Sequence, residues 1–245
     1  MMKITIVGMW SSFPKNNEPS SGYLIEKDDL SVLIDAGSGV AAHVQDYKNI
    51  HDIHHIILTH YHHDHAGDLE AFMQARRLAR RFKYRKHTLN LYGPETGDLV
   101  KSMRRARFSK FHPLKSKKKI HIGPLKFEFH RNAHPVETYA VRVTDGTGAT
   151  FVYTSDSSYN ASLVRFAFGA DLLFTDCSFY EGFDARVEGH MNASEAGRLA
   201  AKSDAARTVL TNLPHRGALE ALLDSARQHH AANIQLAEAG LVFNI

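Results

Sequence analysis

A layered α/β fold, with two packed sheets and helices outside them, follows from three features of this 245-residue chain. Short β-type apolar runs alternate with segments of helical spacing, and the strands gather toward each half of the chain. No repeat, low-complexity stretch or linker interrupts them. Apolar residues make up 43% of the chain, enough to fill a core of the larger sort, so one domain over residues 1–245 is expected.

The elements are read in chain order. Ile4 to Val7, Gly22 to Ile25 and Ser31 to Ile34 form short strands with turn residues between them, a meander-like opening. Ile56 to Leu58 is an apolar strand that runs straight into a histidine cluster, and Leu69 to Arg81 then spaces its apolar residues as a helix does. Leu89 to Tyr92, Leu125 to Phe129, Tyr139 to Val143, Phe151 to Tyr153 and Leu172 to Thr175 continue the strand series. Helices are expected over Ala161 to Phe168, over Ser194 to Ala201 with Ser194 as its cap, and over Leu219 to His229. Short strands near Val209 and Leu241 close the chain. Phe72, Met73, Phe166 and Phe168 are assigned to the core.

Composition narrows the class of molecule. No stretch approaches the roughly 20 apolar residues of a membrane span, and the run Ile4 to Met9 lacks a signal-peptide layout, so a cytoplasmic protein without membrane contact is expected. Cys177 is the only cysteine, which excludes an intramolecular disulfide and a zinc site of several thiolates. There are 17 histidines, several of them between His51 and His65. Histidine is the commonest metal ligand and the usual proton carrier near neutral pH. Charge is uneven: Arg76 to Lys119 carries 16 of the 30 Lys and Arg against Glu95 and Asp98 alone, a net +14, while the rest of the chain nets −10. Such a field suits an anionic, phosphate-bearing ligand; a solvated helical face is the alternative.

The chemistry concentrates in Thr59-His60-Tyr61-His62-His63-Asp64-His65-Ala66-Gly67-Asp68, at the end of a strand. His60 and His62, two apart in an extended loop, can turn to one metal, while Asp64 and His65 begin the next turn and can face another. A catalytic zinc keeps a position for water, so this local set needs partners from afar. His134, Asp156 and His215 each stand just after a strand, on the loops where a scaffold presents functional residues.

This pattern resembles the metallo-β-lactamase superfamily, whose HxHxDH signature is met by His60, His62, Asp64 and His65, with the later His, Asp and His in order at His134, Asp156 and His215. The resemblance implies a four-layer αββα sandwich with a two-metal cleft. It assigns His60, His62 and His134 to one ion, Asp64, His65 and His215 to the other, and Asp156 as the bridge. His62 in place of a glutamate disfavours the redox di-iron branch, which leaves two divalent ions, Zn2+ first and Mn2+ second. Asp156 in place of a cysteine departs from the antibiotic-degrading zinc lactamases.

Within the superfamily the chain is most similar to the tRNase Z-like branch of tRNA 3′-end nucleases and small phosphodiesterases. Leu33-Ile34-Asp35-Ala36-Gly37-Ser38-Gly39 resembles that branch's early Asp-Cys-Gly-Glu-Gly loop, Leu91-Tyr92-Gly93-Pro94 its Gly-Pro turn, and Gly189-His190-Met191-Asn192-Ala193-Ser194 its Gly-His-Ser-Thr segment. The resemblance implies that His190 works on the phosphate. Asp176 could orient it, whereas Asp35 could equally be a turn residue. Only 21 residues separate His134 from Asp156, too few for the arm with which the tRNA nucleases grip tRNA.

The expected partner is therefore a small phosphate-containing substrate, with short nucleic acid and a homodimer left open. The expected reaction is hydrolysis of a nucleotide-like or cyclic phosphodiester by a metal-bound hydroxide, with Asp64 and His190 as the catalytic residues. A thioesterase or lactonase using the same residues is the alternative, and a metal-binding module without turnover is disfavoured by the shared carboxylate.

Overall fold

A computed structural model describes residues 1–83, 87–229 and 233–245, so three residues of the basic segment, 84–86, lie outside the described residues. The chain divides into two compact units, each built on one seven-stranded sheet. The first comprises Lys3–Leu114 and Ala239–Phe243; the second comprises Met1–Met2, Lys115–Glu238 and Asn244–Ile245.

In the first unit, β1 (Lys3–Gly8), β2 (Gly22–Lys27) and β3 (Leu30–Ile34) form the expected antiparallel meander. A short helix α1 (Val40–His43) leads to β4 (His55–Ile57), which pairs parallel to β3 and carries the histidine loop at its C-terminal end. Then follow α2 (His63–Ala66), α3 (Leu69–Arg81), β5 (Leu89–Gly93), α4 (Leu99–Arg105) and β6 (Ser109–Pro113). Leu33, Ile56 and Leu91 stand in register across three parallel strands, and Phe72 and Met73 of α3 join their core cluster. The helical spacing of α3 has this cause, because its apolar stripe covers one face of the sheet. Arg76 projects from the same helix and is buried, donating to the carbonyl of Ile53 at 2.8 Å and of His87 at 3.3 Å. That cation of the basic segment therefore serves the fold.

The second unit runs β7 (Ile120–Ile122), β8 (Leu125–Arg131), β9 (Tyr139–Thr144), β10 (Thr150–Tyr153), α5 (Ala161–Ala167), β11 (Leu172–Asp176), α6 (Ala193–Lys202), β12 (Thr208–Thr211), α7 (Leu219–Arg227) and β13 (Ile234–Leu236). β14 (Val242–Asn244) returns to pair with β1 in the first sheet. The strands β10, β11, β12 and β13 are parallel, so the loops after β10, β11 and β12 leave from one edge. β9 and β10 form an antiparallel hairpin whose turn is closed by Asp145, which accepts from the Thr147 amide at 2.8 Å and the Ala149 amide at 3.1 Å.

Sequence and structure part at a few places. The cap of α6 is Asn192, not Ser194: its side chain accepts from the Glu195 amide while Glu195 reaches back to the Asn192 amide, a reciprocal capping box. Phe168 is 59% exposed because the chain leaves the helical angles there, one residue after α5, whereas Phe166 packs against the second unit's core. The strands β6, β7 and β13 were not anticipated. They are short, and β6 is partly exposed and holds Lys110, His112 and Pro113, so neither length nor apolar alternation announced them. Among the described residues, no helix is long and apolar enough to cross a membrane.

Candidate metal centre

In the first unit the histidine loop is held by Asp35. This residue follows β3 in the left-handed region, with φ +61, and is fully buried. Its backbone amide donates to Ile57 at 2.8 Å, which ties it to the end of β4. Its carboxylate accepts from the Thr59 amide at 2.8 Å, from the Thr59 hydroxyl at 2.9 Å and from His65 Nδ1 at 2.7 Å. With the carboxylate as acceptor, His65 carries its proton on Nδ1 and keeps a lone pair on Nε2, the form a metal requires. The Thr59 hydroxyl, already donating to Asp35, can only accept from His60 Nδ1 at 3.1 Å, and the same tautomer follows for His60.

The backbone brings these side chains close. Gly37 packs against α2 so tightly that a Cβ there would lie 2.1 Å from the carbonyl oxygen of Asp64. The amides of Ser21 and Ala36 donate to Asp64 and His65 at 3.0 and 2.8 Å. Asp64 Oδ2 accepts from the Ser12 amide at 2.7 Å and lies 3.6 Å from His65 Nε2. His60 Nε2 and His62 Nδ1 converge to 3.1 Å. Two nitrogens on one tetrahedral ion at the usual bond length stand about 3.3 Å apart, so this spacing fits a shared ion. The four residues of the motif are thus brought together within this unit, with His60 and His65 buried and His62 exposed.

In the second unit the side chains come from successive strand ends. His134, after β8, donates from Nδ1 to the carbonyl of Gly189 at 2.9 Å, which leaves the Nε2 lone pair 4.0 Å from Asp156 Oδ2. Gly189 must be glycine: its φ is +77, and a Cβ would fall 2.7 Å from His134 Nδ1. Asp156, after β10, is fixed through Asn132, whose amide donates to the carbonyls of Thr154 and Asp156 at 2.7 and 2.9 Å. Asp176, the last residue of β11, accepts from His190 Nδ1 at 2.9 Å, from the Met191 amide at 3.2 Å and from the Ser178 hydroxyl. The other ring nitrogen of His190, Nε2, lies 4.0 Å from Asp156 Oδ2, and this side chain keeps 16% exposure.

His215 is half-buried on the loop after β12, and it joins no group of three or more His, Cys, Asp or Glu ligand atoms among the described residues. The side chain that reaches Asp156 from that strand end is Asn212, with Nδ2 2.9 Å from Asp156 Oδ1. Sequence reading passed it over because it sought histidines. The parallel pairing of Asp176 with Thr211 was the usable signal, since it puts the next residue beside the carboxylates. Cys177 is buried, and burial together with the neighbouring Asp176 pushes its thiol well above the ordinary range, which suits packing and not ligation.

The donors fit divalent ions: imidazoles with their lone pairs set by Nδ1 hydrogen bonds, and buried carboxylates beside them. Comparison with known proteins agrees. The family model described as "Anti-Pycsar protein Apyc1" matches residues 2–196. A Bacillus subtilis protein described as "Probable metallo-hydrolase YhfI" is 35% identical, over 99% of both chains. The crystal structure of YhfI, described as a metallo-beta-lactamase fold protein, superposes with TM-score 0.94 over 99% of this chain and 98% of that one, at 36% identity. At the level of fold alone, the chain is also similar to the short form of human tRNase Z, with TM-score 0.78 at 19% identity over 99% of each chain. A diphosphatase from the PhnP family likewise gives TM-score 0.78 at 21% identity, over 100% of this chain and 98% of that one. The chain belongs to the family described as Anti-Pycsar protein Apyc1, and is a metal-dependent hydrolase of the metallo-β-lactamase fold.

Proposed function

We propose that the protein is a dinuclear phosphodiesterase acting on a small nucleotide-like or cyclic phosphodiester, with both units working as one hydrolase domain. The observation that carries this reading is the Asp176–His190 pair. It presents Nε2 of a partly exposed imidazole 4.0 Å from a buried carboxylate of the metal-binding type. Such a nitrogen can hand a proton to a departing oxygen.

In this reading His60, His62, His134, Asp64, His65 and Asp156 would hold two divalent ions, Zn2+ or Mn2+, with one further ligand from the loop after β12. When bound, such ions bring the pKa of water from 15.7 to about 7 and neutralise charge on a phosphoryl group. Asp64 orients the attacking water, its carboxylate already steered by the Ser12 amide. The water loses a proton to solvent and its oxygen bonds to phosphorus while the bond to the leaving oxygen breaks. His190 Nε2 contacts the phosphate and gives its proton to that leaving oxygen. Asp176 keeps the other proton on Nδ1 and stabilises the charged ring.

Two features support a small substrate. The residues between His134 and Asp156 are taken up by β9, β10 and a closed turn, a compact hairpin in place of a gripping arm. Part of the basic segment stays at the surface, as at Lys101 and Arg105 on α4, where it can attract an anion. The test is a screen of the metal-loaded enzyme against cyclic nucleotides, dinucleotides, aryl phosphodiesters, thioesters and lactones. Turnover of phosphodiesters well above that of acyl esters is expected, and the reverse order would make the protein a thioesterase or lactonase.

A further inference from the structure

Asn212 belongs to neither the histidine motif nor the resemblance, yet it stands between the two aspartates that matter in the second unit. β12 ends at Thr211, and the next residue turns into the left-handed region with φ +57, at 1% exposure. Asparagine tolerates that backbone better than most residues. Its Nδ2 donates to Asp156 Oδ1 at 2.9 Å and to Ser178 Oγ at 2.9 Å, with Asp176 Oδ1 at 3.3 Å.

Carboxylates only accept, so the amide nitrogen must be the end facing the aspartates. The amide oxygen is then left as a buried acceptor that no donor among the described residues reaches. Native interiors rarely tolerate such an atom unless a water or an ion completes it. Meanwhile His215, three residues further on, joins no ligand cluster among the described residues.

We infer that Asn212, and not His215, is the ligand supplied by the end of β12, giving its amide oxygen to an ion that Asp156 shares. The inference rests on the two-ion reading proposed above. It also has a chemical consequence. An amide oxygen is a harder donor than an imidazole nitrogen, so this position holds Zn2+ less selectively against Mn2+ than a third histidine would.

The test is a titration of metal-free protein with Zn2+ against a chromophoric chelator, which counts equivalents and their Kd without relying on turnover. Wild type should take up two equivalents. His215→Ala should keep both, each within about twofold in Kd, while Asn212→Ala should spare the first equivalent and weaken the second by about 10-fold or more. Asn212→Asp keeps the side-chain shape and suits the left-handed backbone, so it carries the test if the alanine variant does not fold. It should tighten the second equivalent, because it replaces the amide oxygen with a charged one. Had Asn212 served only as a donor to Asp156 and Asp176, a third carboxylate there would disturb both and weaken the second equivalent. The same titration with Mn2+ should show a smaller preference for Zn2+ at the second equivalent than at the first. Loss of an equivalent in His215→Ala, or a second Kd unchanged in Asn212→Ala or weakened in Asn212→Asp, overturns the assignment. A wild type that saturates at one equivalent overturns the two-ion reading itself, and the Asn212 inference with it.

Discussion

Each unit holds a hydrogen bond from a histidine Nδ1 to a buried aspartate, and the two are built alike. Asp35 and Asp176 both sit at a strand end, both are fully buried, and they accept from His65 Nδ1 at 2.7 Å and from His190 Nδ1 at 2.9 Å. Both pairs therefore fix the same tautomer. What differs is the exposure of the imidazole. His65 has no exposure, and its Nε2 lies 3.6 Å from Asp64, whereas His190 keeps 16% exposure. An enclosed lone pair beside carboxylates suits a cation. A nitrogen open on one side can take a proton from solvent and pass it to a substrate. In the proposed reading the same two residue types serve as a ligand with its orienting partner in one unit, and as an acid with its orienting partner in the other.

The contrast is broken most directly at His190. His190→Ala should keep the bound metal while losing about 10² to 10⁴ in kcat for a phosphodiester with an alkoxide leaving group. With nitrophenolate, which departs without a proton, the loss should be much smaller. Equal losses would mean that His190 only binds phosphate, and loss of metal would make it a ligand like His65.

A smaller effect separates the two aspartates. Asp35→Asn should weaken metal binding by about 10- to 100-fold, the usual cost of removing the partner that orients a ligating histidine. Asparagine suits the φ of +61 at this position, so the backbone gives no separate reason for a loss. Asp176→Asn should leave metal affinity within about twofold and lower kcat instead, again more for the alkoxide than for the aryl substrate. Chelator competition and kinetics on the two variants measure both quantities. If both variants lose metal equally, the two pairs do not have separate roles.

How much of this was readable from the sequence also differs between the units. The first unit's histidines lie in one unbroken stretch after an apolar strand, so spacing alone revealed them. The second unit draws its site from the ends of β8, β10, β11 and β12, and from the segment before α6. Position after a strand pointed to His134 and Asp156, and the resemblance pointed to His190. At β12 position alone leaves His215 and Asn212 as candidates, and it is the fold that puts Asn212 within hydrogen-bond reach of Asp156. Asp35 was undecided between a turn residue and a site residue, and the structure makes it both: its left-handed backbone turns the chain while its carboxylate orients His65. Only pairing across strands could show that, because Thr59 and His65 are 24 and 30 residues away.

A third histidine sharpens the comparison by showing what burial does when other imidazoles, not a carboxylate, set the local field. His55 opens β4, with Nδ1 3.3 Å from the Tyr92 hydroxyl, and Tyr92 in turn stacks on His112 at 4.7 Å. Burial, followed by repulsion from His54 and His112, lowers its pKa from 6.5 to about 4. Its folded value is depressed, so between pH 6.5 and 4 the unfolded chain binds a proton that the folded chain refuses. Stability from this residue is complete above about pH 6.5, falls as the pH drops toward 4, and changes no further below that. The full shift would be worth about 3 kcal/mol. Partial exposure and solvent screening reduce that to about 1–2 kcal/mol. Urea unfolding of metal-free wild type and His55→Gln, at pH 7 and pH 4.5, isolates the effect from ion release. Wild type should lose about 1–2 kcal/mol more than the variant over that interval. Equal losses would mean that His55 protonates in the folded state without penalty. Partnering by a carboxylate would then no longer be what distinguishes His65 and His190 from His55.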